Sequence, residues 1–194
     1  MRIRDLFNIP MLWRKLRSRN LIRKYRKKIQ KNPLHSQSHY HYASELEKLG
    51  LINIAHAEYR NAKFLGFDQE KVTTSINSIS KRLGDLSVLD TNQYERFDVL
   101  RHHLDQLIGE DGSILDIGGG HGILSQFMPH NDYFLVEPTL NGISGVSIPF
   151  EDDSFDAVVT CHVLEHVPAD ERLTFIDELI RVSRRNVLLF NPFK

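Results

Sequence analysis

The chain has 194 residues, of which 41% are hydrophobic and 26% charged, a composition typical of a soluble globular protein with one domain or a domain and an appendage. Its formal net charge is zero, and its single cysteine excludes an internal disulfide framework. No apolar run reaches the ~20 residues that a membrane-spanning helix needs, and the N-terminus has no apolar secretory core, so we expect a cytoplasmic protein.

The basic residues are concentrated at one end of the chain. Residues 1–31 contain 12 Lys and Arg and one acid, whereas the other 163 residues carry a net charge of −11. Apolar residues recur in this segment at helical spacing, which predicts a basic amphipathic helical arm. Such an arm is typical of docking on an anionic membrane surface, peripheral to the bilayer, or on a protein partner. The alternative is a helix packed on the chain's own core. No module specific for nucleic acid is recognisable.

Residues 32–87 have the pattern of a helical hairpin followed by another helix. Small residues at Ala43, Ala55 and Ala62 allow two helices within 36–66 to approach closely, and Gly50 separates them. The hairpin resembles a single tetratricopeptide unit. A further helix over 68–84, beginning after Asp68, closes the stack. We therefore expect a small helical segment rather than an extended repeat array.

Residues 88–194 alternate between helical and strand patterns. The alternation predicts an α/β fold, in which a Rossmann-like parallel sheet is covered by helices and preceded by the helical N-terminal segment. We predict strands near 113–117, 132–136, 143–147, 156–160 and 186–190, and helices near 92–108 and 169–183.

The most informative segment is Ile114-Leu-Asp-Ile-Gly-Gly-Gly-His-Gly122, in which a short apolar strand runs into a glycine-rich loop. Asp116 lies at the end of the strand, where open α/β sheets bind ligands. A carboxylate there repels a phosphate but attracts a cationic ligand. The spacing Asp-x-Gly-x-Gly-x-Gly resembles the first motif of class I S-adenosylmethionine-dependent methyltransferases.

Three later segments are similar to that family in order and spacing. The predicted second strand ends in Glu137, 17 residues after Gly120. The segment from Ile148 to Asp156 resembles the family's Leu-Pro-Phe loop into its fourth strand. Thr160-Cys-His-Val-Leu-Glu-His-Val-Pro168 resembles the segment that follows that strand. The resemblance covers about residues 95–194.

The resemblance implies S-adenosylmethionine as the cofactor and methyl transfer to an acceptor that the sequence does not identify. Glu137 would bind the ribose hydroxyls. The family's adenine-binding acid aligns near Ser144, so adenine would instead be bound by backbone groups or pack against Ile148 and Phe150. Cys161 and His162 would line the methyl-transfer side, with His162 as the base for a hydroxyl acceptor. The methionine part would be bound by Asp116, Gly118, Gly119 and Gly120.

The sequence departs from the family pattern in two places. Only four residues separate Pro138 from Ile143, so the helix expected there is shortened or lost. The chain also ends after the fifth expected strand, and we expect it to be a C-terminally incomplete methyltransferase domain from a longer parent sequence. A non-catalytic adaptor, docked through its basic arm, is the alternative function.

A metal site is a third alternative. His162-Val-Leu-Glu-His166 matches the His-x-x-Glu-His zinc-peptidase pattern. A catalytic zinc needs a third protein ligand, and the remaining 28 residues offer only acids of the next helix. We therefore predict no metal.

Overall fold

The computed structural model describes residues 9–84, 86 and 89–191, and side chains from Lys15 onward. Residues 1–8, part of the predicted basic arm, lie outside the described residues. The helices and strands are, in chain order, α1 (Ile9–Lys31), α2 (Ser36–Lys48), α3 (Ile52–Phe64), α4 (Gln69–Ser80), α5 (Thr91–Ile108), β1 (Ser113–Ile117), α6 (Leu124–Phe127), β2 (Asp132–Val136), β3 (Phe155–Cys161), α7 (Arg172–Val182) and β4 (Ser183–Phe190). A three-residue 3₁₀ helix, Leu164–His166, lies between β3 and α7.

The four strands form one parallel sheet in the order β2-β1-β3-β4. The strands predicted near 113–117, 132–136, 156–160 and 186–190 are confirmed, as is the α/β Rossmann-like fold class. In the register of the sheet, Asp116 lies between Leu135 of β2 and Val159 of β3. The carboxyl end of β1 is therefore flanked on both sides by neighbouring strands, as ligand sites of open parallel sheets require.

Helices cover both faces of the sheet, so alternate strand residues pack into two cores. Leu115 and Phe134 pack with residues of the helical segment and of α7. Ile114 and Tyr133 lie on the other face and pack with Leu104 of α5. This burial on two faces explains why the strands are almost continuously apolar.

Helix α3 covers the edge of the sheet at β2. Nine consecutive residues, from Ile54 to Ala62, are buried. The Asn61 side chain pairs with the backbone of Leu135: its Oδ1 accepts from Leu135 N at 2.7 Å, and its Nδ2 donates to Leu135 O at 3.1 Å. One amide thus satisfies both backbone groups of Leu135, which another strand would otherwise use.

The strand predicted over 143–147 is wrong. These residues form turns and irregular backbone, although Ile143 and Gly145 are buried. Leu135 of the neighbouring strand is already paired with Asn61 and also accepts from Asn141 Nδ2 at 2.8 Å. The apolar residues of this segment therefore pack into the core without joining the sheet.

The predicted helices of the N-terminal segment are present. Asp68 begins α4 by accepting from Lys71 N, and Asp90 begins α5 by accepting from Gln93 N. The helices contact the α/β part directly: Arg26 donates to Pro138 O at 2.9 Å, and Tyr42 donates to Leu140 O at 2.6 Å. None of the helices within 9–84 and 89–191 combines the length and apolarity that a bilayer span needs. The tetratricopeptide resemblance and the boundaries 1–31, 32–87 and 88–194 stay predictions.

Candidate functional site

The glycine loop follows β1 and fits closely against its surroundings. Gly118 has φ +70°, and a Cβ on it would lie 2.5 Å from Val163 Cγ2. A Cβ on Gly119 would lie 2.1 Å from Asp116 Oδ2, closer than any real contact. Both positions therefore require glycine for packing within the chain, whether or not a ligand binds.

Asp116 is a buried carboxylate at the end of β1. Its side chain accepts a hydrogen bond from Tyr133 Oη at 2.6 Å, and the residue is 2% exposed. Burial raises the pKa of Asp116 to about 7, the Tyr133 hydrogen bond opposes that rise, and the negative charge of Glu137 adds to it. No described cation forms an ion pair with Asp116, so a cationic ligand would stabilise its charged form.

Glu137 follows β2 and is bound to the glycine loop. Its Oε2 accepts from Gly120 N at 3.0 Å. Its Oε1 accepts from Thr139 N at 2.9 Å and from Thr139 Oγ1 at 2.7 Å. These bonds orient the carboxylate beside the loop, where it also lines a cavity.

Two cavities lie beside the loop and share Gly118 in their walls. The larger has a volume of about 500 Å³, and its walls include Glu137, Ser144, His162 and Phe175. The smaller has a volume of about 210 Å³ and contains Asp116, Gly119, Gly120, Arg96 and Cys161 in its walls. The two acids thus face adjoining cavities rather than one.

The cavities bring together most of the residues that the sequence singled out. His162 lines the larger one with φ +58°, an uncommon backbone conformation for a residue with a side chain, and its Nδ1 lies 3.5 Å from Glu165 Oε1. Cys161 lines the smaller one, and burial raises its pKa to about 11, which keeps the thiol protonated at neutral pH.

Ile148 and Phe150 line neither of these cavities. Ile148 is 4% exposed in the core. The Phe150 ring packs edge-on against Phe134 and Phe155, with ring centroids 4.9 Å apart in both pairs. The structure therefore separates these two residues from the others named for the site, and Val146 takes the place expected for an apolar wall.

Sequence reasoning missed Arg96 and Tyr133. Arg96 lies on α5 and contributes a cation to the smaller cavity. Tyr133 lies on β2, and the guanidinium of Arg60 lies over its ring at 4.9 Å. Arg60 is buried and donates to the backbone carbonyls of Ser125, Met128 and Asn131. Helix α3 is thereby connected, through Arg60 and Tyr133, to Asp116.

The zinc-peptidase pattern does not form the helix on which its two histidines would face one ion. His162 precedes the 3₁₀ helix that contains His166. Among the described residues, no group of three or more His, Cys, Asp or Glu side chains lies close enough to hold a metal ion.

A family model described as a methyltransferase domain matches residues 92–186. The matched range begins in α5 and includes Asp116, Glu137 and the whole glycine loop. No curated protein matches the chain at a significant level.

Proposed function

We propose that the chain binds S-adenosylmethionine and transfers the methyl group to an acceptor, because its residues 92–186 match a methyltransferase domain family. The observation that carries the proposal is the pair of adjoining cavities that share Gly118, with Asp116 in the walls of the smaller and Glu137 in the walls of the larger. The ligand is an elongated cation with a nucleoside at one end and an amino acid at the other. Two adjoining cavities, each with its own polar groups, fit a ligand with two different polar ends.

The charges of the cavities also fit the ligand. Asp116 and Arg96 lie in the walls of the smaller cavity, where they could bind the ammonium and carboxylate groups of a methionine tail. Glu137 could accept from the ribose hydroxyls in the larger cavity. A pyrophosphate would face the buried Asp116 carboxylate, which argues against a dinucleotide as the ligand.

When bound, the cofactor supplies a methyl group already activated by its positive sulfur, so the protein's main task is orientation. The loop from Gly118 to Gly120 would hold the donor beside the end of β1. His162 lines the larger cavity and is the residue we propose as the base that accepts a proton from a hydroxyl acceptor. Glu165 Oε1 lies 3.5 Å from His162 Nδ1 and would help to orient the imidazole ring.

The alternative function is a non-catalytic adaptor that docks through α1. Eight exposed Lys and Arg side chains on the described part of α1 favour a docking surface. Docking and methyl transfer would use different parts of the molecule, so docking alone does not distinguish the two functions. The adaptor is distinguished by cavities that bind no cofactor.

Calorimetric titration with S-adenosylmethionine distinguishes the two functions. We expect micromolar binding by the full chain and a loss of about 10- to 100-fold in affinity for Glu137→Gln, because a hydrogen-bonded charge is removed. Glu110→Gln is the matched control, since Glu110 is exposed and lies before β1, at the opposite end of the strand from the site. A folded sample that gives no binding heat, or equal losses in both variants, would contradict the proposal.

A further inference from the structure

A further groove lies between α1 and the α2–α3 hairpin, and it shares no lining residue with the two cavities beside the glycine loop. It is a groove of about 580 Å³, within the range of volumes that ligand sites have. Lys15, Arg19 and Arg23 form its α1 side. They are spaced four residues apart, so they lie along one side of the helix over ~12 Å.

The floor of this groove is apolar. Leu46, Ile54 and Leu140 line it together with the ring of Tyr42. The hydroxyl of Tyr42 donates to the backbone oxygen of Leu140, so the tyrosine's polar group already has a partner. At the edge of the groove Leu51 is 44% exposed and extends its apolar surface.

The charge of the groove is not neutralised within the described chain. None of the three cations forms an ion pair with a described carboxylate. The carboxylates of α2 have other partners: Glu45 pairs with Lys48 at 2.6 Å, and Glu47 pairs with Arg82. Helix α1 contains ten Lys and Arg residues and no acid. The groove therefore combines an uncompensated positive side with a hydrocarbon floor.

We propose that this groove, together with the exposed cations of α1, docks the protein on an anionic phospholipid bilayer. The phosphate and carboxylate groups of the lipids would contact Lys15, Arg19 and Arg23, and carbon atoms of one lipid would lie on Leu46 and Ile54. A bilayer fits better than a single acidic peptide, because five further exposed cations extend along α1 beyond the groove. A flat anionic surface can attract all of them at once.

The test measures cosedimentation of the full chain with vesicles of phosphatidylcholine alone and of phosphatidylcholine with phosphatidylserine. We expect binding only to the anionic vesicles, weaker at high salt because surface charges are screened. The groove variant Lys15→Gln/Arg19→Gln/Arg23→Gln should bind about 100-fold more weakly, from about fivefold for each charge near the membrane.

The matched control is Arg17→Gln/Lys24→Gln/Lys31→Gln, which removes three exposed cations of α1 that do not line the groove. It should weaken binding less than the groove variant does. An equal loss of vesicle affinity in the two variants would refute a specific role for the groove and would indicate a diffuse electrostatic contact. Absence of binding to anionic vesicles, or tighter binding of an acidic peptide or oligonucleotide than of the vesicles, would overturn the bilayer as the occupant. Because all six residues are exposed, circular dichroism should show the same helix content in both variants.

Discussion

Replacing Asp116 with asparagine should stabilise the folded protein at neutral and higher pH. Asp116 is buried, and its pKa is raised from 3.8 to about 7, chiefly by burial. The asparagine side chain has nearly the same shape, and its Oδ1 could still accept from Tyr133 Oη. The variant therefore removes the charge of the buried carboxyl and little else.

The sign and size of the effect follow from the two pKa values. As pH rises from about 4 to about 7, the unfolded chain loses the Asp116 proton while the folded protein keeps it. The unfolded state binds fewer protons over that window, so this carboxyl lowers the free energy of unfolding as pH rises. A shift of about three pH units corresponds to ~4 kcal/mol in total, at 1.36 kcal/mol per unit. Between about pH 5 and about pH 8 the contribution of Asp116 to the free energy of unfolding should fall by ~3 kcal/mol.

Urea unfolding of both proteins at several pH values measures this change directly. The stability of Asp116→Asn relative to the unsubstituted chain should increase by ~3 kcal/mol from about pH 5 to about pH 8, because all other titrating groups cancel in the difference. A stability difference that stays constant with pH would refute the raised pKa of Asp116. A stability difference that shrinks as pH rises would mean that folding lowers this pKa.

Asp156→Asn is the control of opposite sign. Asp156 accepts from Ser113 N at 2.9 Å, and that bond, assisted by Arg184, holds its pKa below the usual value. The ionised carboxylate therefore stabilises the folded state at neutral pH, and that stability is lost as pH falls through the carboxyl range. Asp156→Asn should accordingly destabilise the protein at about pH 8 and do so less at low pH.

Two further predictions concern contacts of β2. Asn61→Ala should lower the free energy of unfolding by about 1–3 kcal/mol in urea denaturation, because it leaves the buried N–H of Leu135 without a partner. Asn53→Ala on the same helix is its control and should change stability by less than about 0.5 kcal/mol; equal effects would show that Asn61 does not seal the sheet edge. Tyr133→Phe should raise the pKa of Asp116 by about one to two units, because it removes the only described hydrogen bond to the carboxylate. Carbon-13 NMR titration of the aspartate carboxyl groups would detect this rise, and an unchanged pKa would exclude Tyr133 as a group that lowers the pKa of Asp116.

Local patterns were sufficient to predict the sheet and the glycine loop. The strands that contain Asp116 and Val159 are apolar because both faces are covered, and that property is visible in the sequence itself. The acid at the end of β1 and the acid after β2 could be placed at one edge of the sheet because parallel strands end together. The helix at 92–108 was predictable from its apolar periodicity and observed as Thr91–Ile108.

Contacts between distant parts of the chain explain what the sequence did not reveal. The segment 143–147 has the apolar content of a strand, but the pairing groups of Leu135 are taken by Asn61, 74 residues earlier. Phe150 resembles a ligand-facing residue in sequence, yet Phe64 of α3 reaches it with ring centroids 5.9 Å apart. Nothing local to either segment signals that α3 lies there. The relevant signal lies in α3 itself, where Glu58, Arg60 and Asn61 stand among small apolar residues. Polar side chains on such a buried helix indicate specific contacts with another part of the chain.

The position of α3 has a practical consequence for anyone who expresses this protein in pieces. A recombinant fragment trimmed to residues 92–186 would lose Asn61 and Arg60 and expose the free edge of β2 to water. Bare strand edges readily pair with one another between molecules, which leads to aggregation. Failure of such a fragment to remain in solution would therefore reflect the missing helix, and would say nothing about whether the parallel sheet folds correctly in the full chain.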